Sequence, residues 1–208
     1  MSIPVVAGVD GSVASLEAVD WAAAEAGRHQ IPLRLLHAAA DDGEASDVID
    51  AASERVREAS HTVRLSSELL HKDAASALVD KGRNAFAPVL GSRGLGGLAG
   101  MLLGPVGLAL AARADCPVVV VRGAADHTGV RFGTVVVGVE DGESSGTAVR
   151  FVFREARVRR CRLVAASGAD LLVVGARRRQ GHLGLQLGLI NHAVLHHAPC
   201  PVVVVPRI

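Results

Sequence analysis

Along residues 1–123, short apolar runs alternate with stretches in which apolar residues recur every three or four positions. The runs are typical of strands buried on both faces of a parallel sheet, and the recurring spacing is typical of covering helices. This alternation predicts right-handed crossovers and an α/β fold with an open parallel sheet. Pro88 lies in the fourth run and cannot donate a ladder hydrogen bond, so it weakens that strand unless a bulge or a sheet edge accommodates it. The predicted strands are 4–9, 32–38, 62–69, 85–91 and 117–122, and the predicted helices are one capped by Ser12 and those at 46–59, 74–82 and 101–113.

The chain also repeats itself. Residues 135–140 (VVVGVE) echo residues 5–10 (VVAGVD) at an offset of 130, which also pairs Glu25 with Glu155. Residues 198–205 (APCPVVVV) echo residues 114–121 (ADCPVVVV) at an offset of 84, so the second copy lacks 46 residues that the first contains. The repeats predict a near-complete domain at 1–123, a linker at 124–133 and a truncated second domain at 134–208.

The shortened copy has too few elements for the same fold. Its pattern predicts strands at 134–139, 171–175 and 201–205 and helices at 145–160 and 187–197. A further apolar run, 162–166, is followed by only four residues before Leu171, whereas a parallel crossover needs about a dozen. We therefore expect 161–170 to be a connection and the second half-sheet to have three strands.

Composition and charge restrict the classes of protein to which the chain can belong. Half of the 208 residues are apolar, but aromatic residues make up only 2% and the net charge is +1. Residues 1–123 carry 11 basic and 15 acidic side chains and the rest carry 11 and 6, which favours attraction between the halves over nucleic-acid binding. The uncharged stretch 94–112 contains six glycines and Pro105, a poor membrane span. No signal segment or disulfide pattern is visible, so we expect a cytoplasmic protein.

The most informative segment for chemistry is residues 91–97 (GSRGLGG), followed by Gly104-Pro105-Val106. It follows a predicted strand and opens a predicted helix, where backbone amides and the helix N-terminus favour an anion such as phosphate. A tight turn whose glycines serve packing alone remains the alternative. Typical P-loop ATPases are excluded because the chain has no Gly-Lys-Ser/Thr, its only lysines being Lys72 and Lys81.

The other candidate residues do not indicate a catalytic or metal site. His192 and His196 have a spacing that can hold zinc, but no further ligand lies at local spacing, so they are expected on a helix surface or interface. The basic run 177–179 is expected to be a solvated loop that can attract a phosphate from outside. No nucleophile–base arrangement can be identified, so we expect no robust catalysis and no resident metal.

These motifs together resemble the universal stress protein family. That family has a Val-x-x-Asp-x-Ser start and, further on, Gly-x2-Gly-x9-Gly-Ser/Thr before a Cys-Pro-Val strand; here Val-Asp-Gly-Ser stands at 9–12, and the glycine spacing fits at 91, 94 and 104. The resemblance implies a Rossmann-like, adenine nucleotide alpha hydrolase-like fold that binds ATP, with or without Mg²⁺, in a regulatory stress role. It also implies pairing of the last strands of the two halves, 118–121 with 202–205, or a homodimer. The implied nucleotide-binding residues are Gly8, Asp10, Ala38, Gly91, Ser92, Arg93, Gly94, Gly97, Gly104 and Val106.

The sequence departs from the family at informative positions. Pro105 stands where the family has Ser or Thr and removes both a hydroxyl and a backbone N–H. In the second copy, Glu140 replaces Asp10, Arg178 replaces Gly94 and Leu189 replaces Pro105. We therefore expect the second half not to bind nucleotide as the first does. The alternative for the whole chain is an interaction protein that has lost nucleotide binding through Pro105 and the shortened half.

Overall fold

A single mixed sheet runs through both copies of the repeat in the computed structural model, which describes residues 3–39, 43–94, 104–122, 133–138, 146–163, 170–176, 194–195, 198 and 200–206. Within these ranges the sheet has nine strands in the order β3-β2-β1-β4-β5-β9-β8-β6-β7. The strands are β1 (Val5–Val9), β2 (Leu33–Ala38), β3 (Leu65–Leu70), β4 (Ala87–Gly91), β5 (Val118–Val121), β6 (Thr134–Gly138), β7 (Arg162–Leu163), β8 (Leu171–Ala176) and β9 (Val202–Pro206). The helices are α1 (Val13–His29), α2 (Gly43–Ala59), α3 (Ala74–Gly82), α4 (Pro105–Arg113) and α5 (Gly146–Arg159).

The first half confirms the predicted Rossmann-like open parallel sheet. All its strand pairs are parallel, and β1 lies between β2 and β4. The chain therefore builds outward from β1 in one direction and then in the other, which leaves a crevice at the carboxyl ends of β1 and β4. The helix predicted from 101 begins at Pro105 in the described part of the chain.

The two halves meet edge to edge. β5 and β9 pair antiparallel, with Val118 opposite Val204 and Val120 opposite Val202. On the far side of β9 the second half continues with β8 and β6 in parallel. Of the helix predicted at 187–197, the structure describes residues 194 and 195, and both are helical.

The prediction that 161–170 is only a connection is wrong. Arg162 and Leu163 form β7, which pairs parallel with Thr134 and Val135 of β6. Because β7 ends at Leu163, seven residues remain before Leu171, with a reach of up to about 25 Å. Both Leu163 and Leu171 lie level with Val135 on either side of β6, about 10 Å apart at normal strand spacing. A strand that ends at Leu163 thus leaves a connection long enough to reach Leu171, whereas a strand over 162–166 would not.

Pro88 lies in an interior strand, so no sheet edge accommodates it. It is opposite Val6 of β1, and pairing of β4 with β5 begins only at Val89. The backbone N–H of Phe86 still donates to Pro4 O, at 2.8 Å, just before β4. Pro88 therefore removes a ladder donor near the start of the strand rather than from its middle.

The core lies in two layers against the sheet. On one face, α1, α2 and α5 cover a cluster that includes Trp21, Val89 and Val152, all at most 2% exposed. On the other face, α3 and α4 cover a smaller cluster around Leu78 and Leu110. No helix in the described ranges is long and apolar enough to cross a membrane; of the uncharged stretch 94–112, the structure describes residue 94 and residues 104–112.

Candidate functional site

A cleft with a cavity volume of about 280 Å³ opens where β1 and β4 end, at the point where the strand order reverses. Carboxyl strand ends at such a switch point are the usual ligand site of open α/β sheets. One side of the cleft is apolar and the other is formed by glycines and the start of α4. The lining residues are Gly8, Val9, Asp10, Ser15, Leu36, Ala38, Leu70, Ala74, Ala77, Leu78, Leu90, Gly91, Arg93, Gly94, Gly104, Pro105, Val106 and Gly107.

Asp10 is held in place by the first turn of α1. Its Oδ1 accepts hydrogen bonds from the backbone N–H of Ser12 at 3.0 Å and from Ser12 Oγ at 2.6 Å. Its own backbone N–H donates to Ser15 Oγ at 3.3 Å. Gly11 makes this tight turn possible because it adopts a φ of +80°, which side chains disfavour. The Asp10 carboxylate is therefore fixed at the mouth of the cleft.

Ser12 supports both the turn and the helix. Its Oγ accepts the Ser15 backbone N–H at 3.2 Å, which is an N-cap interaction, while donating to Asp10. We expect Ser12→Ala to lower the free energy of unfolding by about 1 kcal/mol, as loss of an N-cap typically does. Urea denaturation measures this, with Ser66→Ala, a change at an exposed position of β3, as a control near zero. Equal stability of the two variants would show that the cap contributes nothing.

Two glycines bring the chain close to neighbouring groups. A Cβ at Gly91 would overlap the Ala14 carbonyl group and lie 2.9 Å from the Ser15 nitrogen, so no side chain fits between β4 and α1. A Cβ at Gly94 would overlap the Asp10 carboxylate. The three glycines of the predicted motif and Asp10 thus lie together around the cleft.

The start of α4 faces the same cleft. Gly104 is its N-cap and supplies no side-chain hydrogen bond, and Pro105 occupies the first helical position. The amide of that position has no intrahelical acceptor in any helix, so proline is tolerated there. The Val106 and Gly107 amides belong to the same first turn, and both residues line the cleft. Pro105 therefore deprives the turn of one backbone N–H, while the N–H groups of Val106 and Gly107 remain.

Positive charge lies beside the glycines. Arg93 is exposed at the mouth of the cleft. Arg122, at the end of β5, donates from Nη1 to Leu195 O at 2.5 Å. Burial lowers the pKa of Arg122, and the nearby charge of Arg93 lowers it further. Two guanidinium groups at this edge of the sheet favour an anion over a cation.

Most of the residues implied by the family resemblance meet here. Ser92 is buried behind the cleft, where its carbonyl accepts the Gly104 N–H at 2.9 Å and its own N–H donates to Val121 O. Gly97 lies outside the described residues, as do Glu140, 177–179, Gly188, Leu189 and the histidines at 192, 196 and 197. The implied residues that line the cleft are Gly8, Asp10, Ala38, Gly91, Arg93, Gly94, Gly104 and Val106.

Sequence reasoning missed the apolar side of the cleft, here called the apolar wall. Leu36 of β2, Leu90 of β4 and Leu78 of α3 look like ordinary core residues in the sequence. The one available signal was Gly8: a Cβ there would come within 2.5 Å of Leu90 Cδ2 and 3.2 Å of Leu78 Cδ1. A glycine in an otherwise fully apolar strand indicates a close approach by a neighbour or a ligand.

Comparison with known proteins shows the family. A sequence profile of the universal stress protein family matches residues 1–85, 44–122 and 159–206. A universal stress protein of Mycobacterium tuberculosis is 29% identical over 175 residues, which cover 79% of this chain and 64% of the relative. The chain therefore spans less than two thirds of that relative's length.

Solved structures are also similar. The crystal structure of a universal stress protein from Archaeoglobus fulgidus matches 99% of this chain and 98% of its own, with a TM-score of 0.71 and 14% identity, which supports the fold alone. A universal stress protein crystallised in complex with cAMP is 30% identical, with a TM-score of 0.51, and covers 57% of this chain and 95% of its own.

Proposed function

The chain belongs to the universal stress protein family, and from that premise we propose that its first half binds an adenine nucleotide in the cleft at the ends of β1 and β4. The observation that carries this proposal is the meeting of Asp10, Gly91, Gly94 and Gly104 around one open cavity. One side of the cavity is apolar and the other is polar. A nucleotide likewise has an apolar end, the base, and an anionic end, the phosphates.

The apolar wall suits the base. Leu36, Leu78 and Leu90 are each at most 7% exposed and line the inner side of the cleft together with the half-buried Leu70. A flat heterocycle that covers them removes apolar surface from water, a gain of about 25 cal/mol per Å². The absence of a side chain at Gly8 lets Leu78 and Leu90 pack directly against β1, because a Cβ there would come within 2.5 Å of Leu90 Cδ2. In this proposal the backbone around Ala38 meets the edge of the base.

The polar side suits the sugar and phosphates. An ionised carboxylate accepts hydrogen bonds only, so Asp10 is suited to the hydroxyl donors of a ribose. The backbone amides of Val106 and Gly107 and the Arg93 guanidinium favour the anionic phosphates. We assign ribose and phosphate binding to Gly91, Gly94, Gly104 and Val106, together with Ser92, Arg93 and Gly97 of the same sequence motif.

The similar universal stress protein crystallised with cAMP supports this choice of ligand. It matches little more than half of this chain, and that share suits a single copy of the repeat. We propose ATP as the ligand in a cytoplasmic stress-regulatory protein, with β5 and β9 joining the halves as a pseudo-dimer. Asp10 is the only acidic residue among those lining the cleft, so Mg²⁺ would be held mainly by the phosphates.

We expect Asp10→Ala to weaken ATP binding about tenfold or more, because two or more charge-assisted hydrogen bonds to the ribose are lost. Isothermal titration calorimetry with ATP measures the change. Asp20→Ala is the matched control, since Asp20 lies on α1, the helix that follows Asp10, and pairs with Arg55 at the surface. If both variants bind ATP with equal affinity, Asp10 does not contribute to the binding site.

Pro105 favours a second candidate function, an interaction protein that no longer binds nucleotide. Pro105 replaces the Ser or Thr that is typical of the family and lacks the N–H of the first helical position. We expect Pro105→Ser to strengthen ATP binding about tenfold, since it restores one hydroxyl and one amide donor near the phosphates. If neither the unmodified protein nor this variant binds ATP in calorimetry, the second candidate is favoured.

A further inference from the structure

Two carboxylates and two cationic side chains lie buried together where α1 of the first half meets α5 of the second. Glu25 and His29 are one turn apart on α1, and Glu155 and Arg159 are one turn apart on α5. Their side chains are 1%, 7%, 0% and 0% exposed, respectively. This buried quartet (Glu25, His29, Glu155 and Arg159) is separate from the nucleotide cleft.

The quartet follows the sequence repeat. Adding the offset of 130 to 25 and 29 gives 155 and 159, so each half contributes one carboxylate and one cation at equivalent positions. The cations pair across the junction as well as within their own helix. Arg159 Nη2 donates to Glu25 Oε2 at 2.6 Å, and His29 Nε2 lies 3.3 Å from Glu155 Oε1 and 3.2 Å from Glu25 Oε1. The difference between the halves is that one cation is a histidine, which can lose its charge.

Both carboxylates act on His29. Burial alone would lower the pKa of His29, but hydrogen bonds to Glu155 and Glu25, together with their charges, raise it to about 9. Burial would raise the pKa of Glu25, yet the His29 hydrogen bond and the charge of Arg159 hold it well below its usual range. Burial raises the pKa of Glu155, and the neighbouring Glu25 charge adds to that rise. A neutral His29 would leave the carboxylates with Arg159 as their shared partner within the quartet.

Other charged and titratable groups also lie near His29. On α1, Arg28 pairs with Glu25 at 3.0 Å, and on α5 Arg154 lies 3.5 Å from Glu155 Oε1. Phe86, just before β4, contacts the His29 ring at 4.5 Å between centroids, and Arg154 lies over the Phe86 ring. Cys161 follows α5, and burial raises the pKa of its thiol.

A metal ion is the competing occupant, because one donor atom each from Glu25, His29 and Glu155 lie within 4.8 Å of one another. However, Arg28, Arg154 and Arg159 already bring three positive charges to two carboxylates. A divalent cation would add to this excess, whereas a proton on His29 adds a single charge between the two carboxylates. The charge balance therefore favours the proton.

We propose that the buried quartet is a pH-sensitive lock between the two halves, closed while His29 is protonated and loosened when His29 becomes neutral. A histidine whose pKa is higher in the folded protein than its ordinary 6.5 stabilises the fold fully below pH 6.5. That contribution is lost as the pH rises through about 9. The folding equilibrium constant should therefore fall on the order of tenfold to hundredfold between pH 6.5 and 9.5.

The chain carries its own reporter for this lock. Trp21 is the only tryptophan and there is no tyrosine, so protein fluorescence comes from one buried side chain. The Arg159 guanidinium lies 5.4 Å from the Trp21 ring centroid. We expect Trp21 emission to change with a midpoint near pH 9, and the urea midpoint to fall over the same range.

Three variants test the assignment. His29→Gln removes the charge, and His29→Arg makes it permanent, in the manner of Arg159; both should abolish the transition. The matched control His61→Gln changes an exposed histidine and should keep it. Persistence of the transition in His29→Gln, or its absence from the unmodified protein between pH 7.5 and 10, would overturn the proposal. So would a response of Trp21 emission to micromolar zinc alone that His29→Gln abolishes, because the quartet would then be a metal site.

Discussion

Replacing Arg159 by methionine is expected to lower the free energy of unfolding by about 3–5 kcal/mol, the usual result of breaking one side of a buried ion pair. Arg159 is fully buried, donates to Glu25 at 2.6 Å and lies over Trp21. Methionine conserves much of the apolar volume but leaves the Glu25 carboxylate without its closest cross-junction donor. Urea denaturation monitored by Trp21 fluorescence measures the loss.

The control for this prediction is Arg57→Met. Arg57 pairs with Glu54 at 3.6 Å, but their side chains are 65% and 70% exposed. Exposed pairs of this kind contribute about 0–1 kcal/mol because water screens them. If both arginine variants lose the same small amount, Arg159 does not hold the halves together.

The second large effect is expected at the nucleotide cleft. Gly94→Val should weaken ATP binding about 100-fold, equivalent to about 2.7 kcal/mol. The new Cβ would occupy the space of the Asp10 carboxylate, so Asp10 must move and the valine methyl groups enter the cleft. Gly94 is exposed and the overlapping group is a side chain rather than backbone, so unfolding should change by less than about 1 kcal/mol.

Gly27→Val is the matched control for that substitution. Gly27 is exposed on α1, and a Cβ there would meet only Val63 Cγ2 at 3.8 Å. We expect its affinity for ATP to match that of the unmodified protein in calorimetry. Normal affinity in Gly94→Val would place the ligand somewhere other than beside Asp10.

The alternating pattern and the repeat were enough to predict the α/β class, and the family resemblance implied the grouping of Asp10 with the glycines. Strand ends of a parallel sheet meet at one edge, so motifs that follow β1 and β4 must come together. Leu36 and Leu78 could not be assigned to the cleft, because the sequence does not distinguish a leucine facing a cavity from one facing the core. The β7 strand was missed because its length, two residues, decides whether the connection can reach.

The buried quartet shows another limit of sequence analysis. The offset of 130 already paired Glu25 with Glu155, but whether equivalent residues touch depends on how two halves dock. That docking arises from the antiparallel pairing of β5 with β9, which joins the two sheets edge to edge. Helical spacing does place His29 and Arg159 one turn from the glutamates, yet it cannot indicate burial across a junction.

The most direct measurement is a calorimetric titration of the unmodified protein with AMP, which carries the base, ribose and one phosphate that the cleft is proposed to hold, and with GMP for comparison. We expect AMP to bind at one site per chain with a dissociation constant of about 1–100 μM and GMP at least tenfold more weakly. A protein that is folded by circular dichroism and yet takes up no AMP at millimolar concentration would contradict nucleotide binding by the first half.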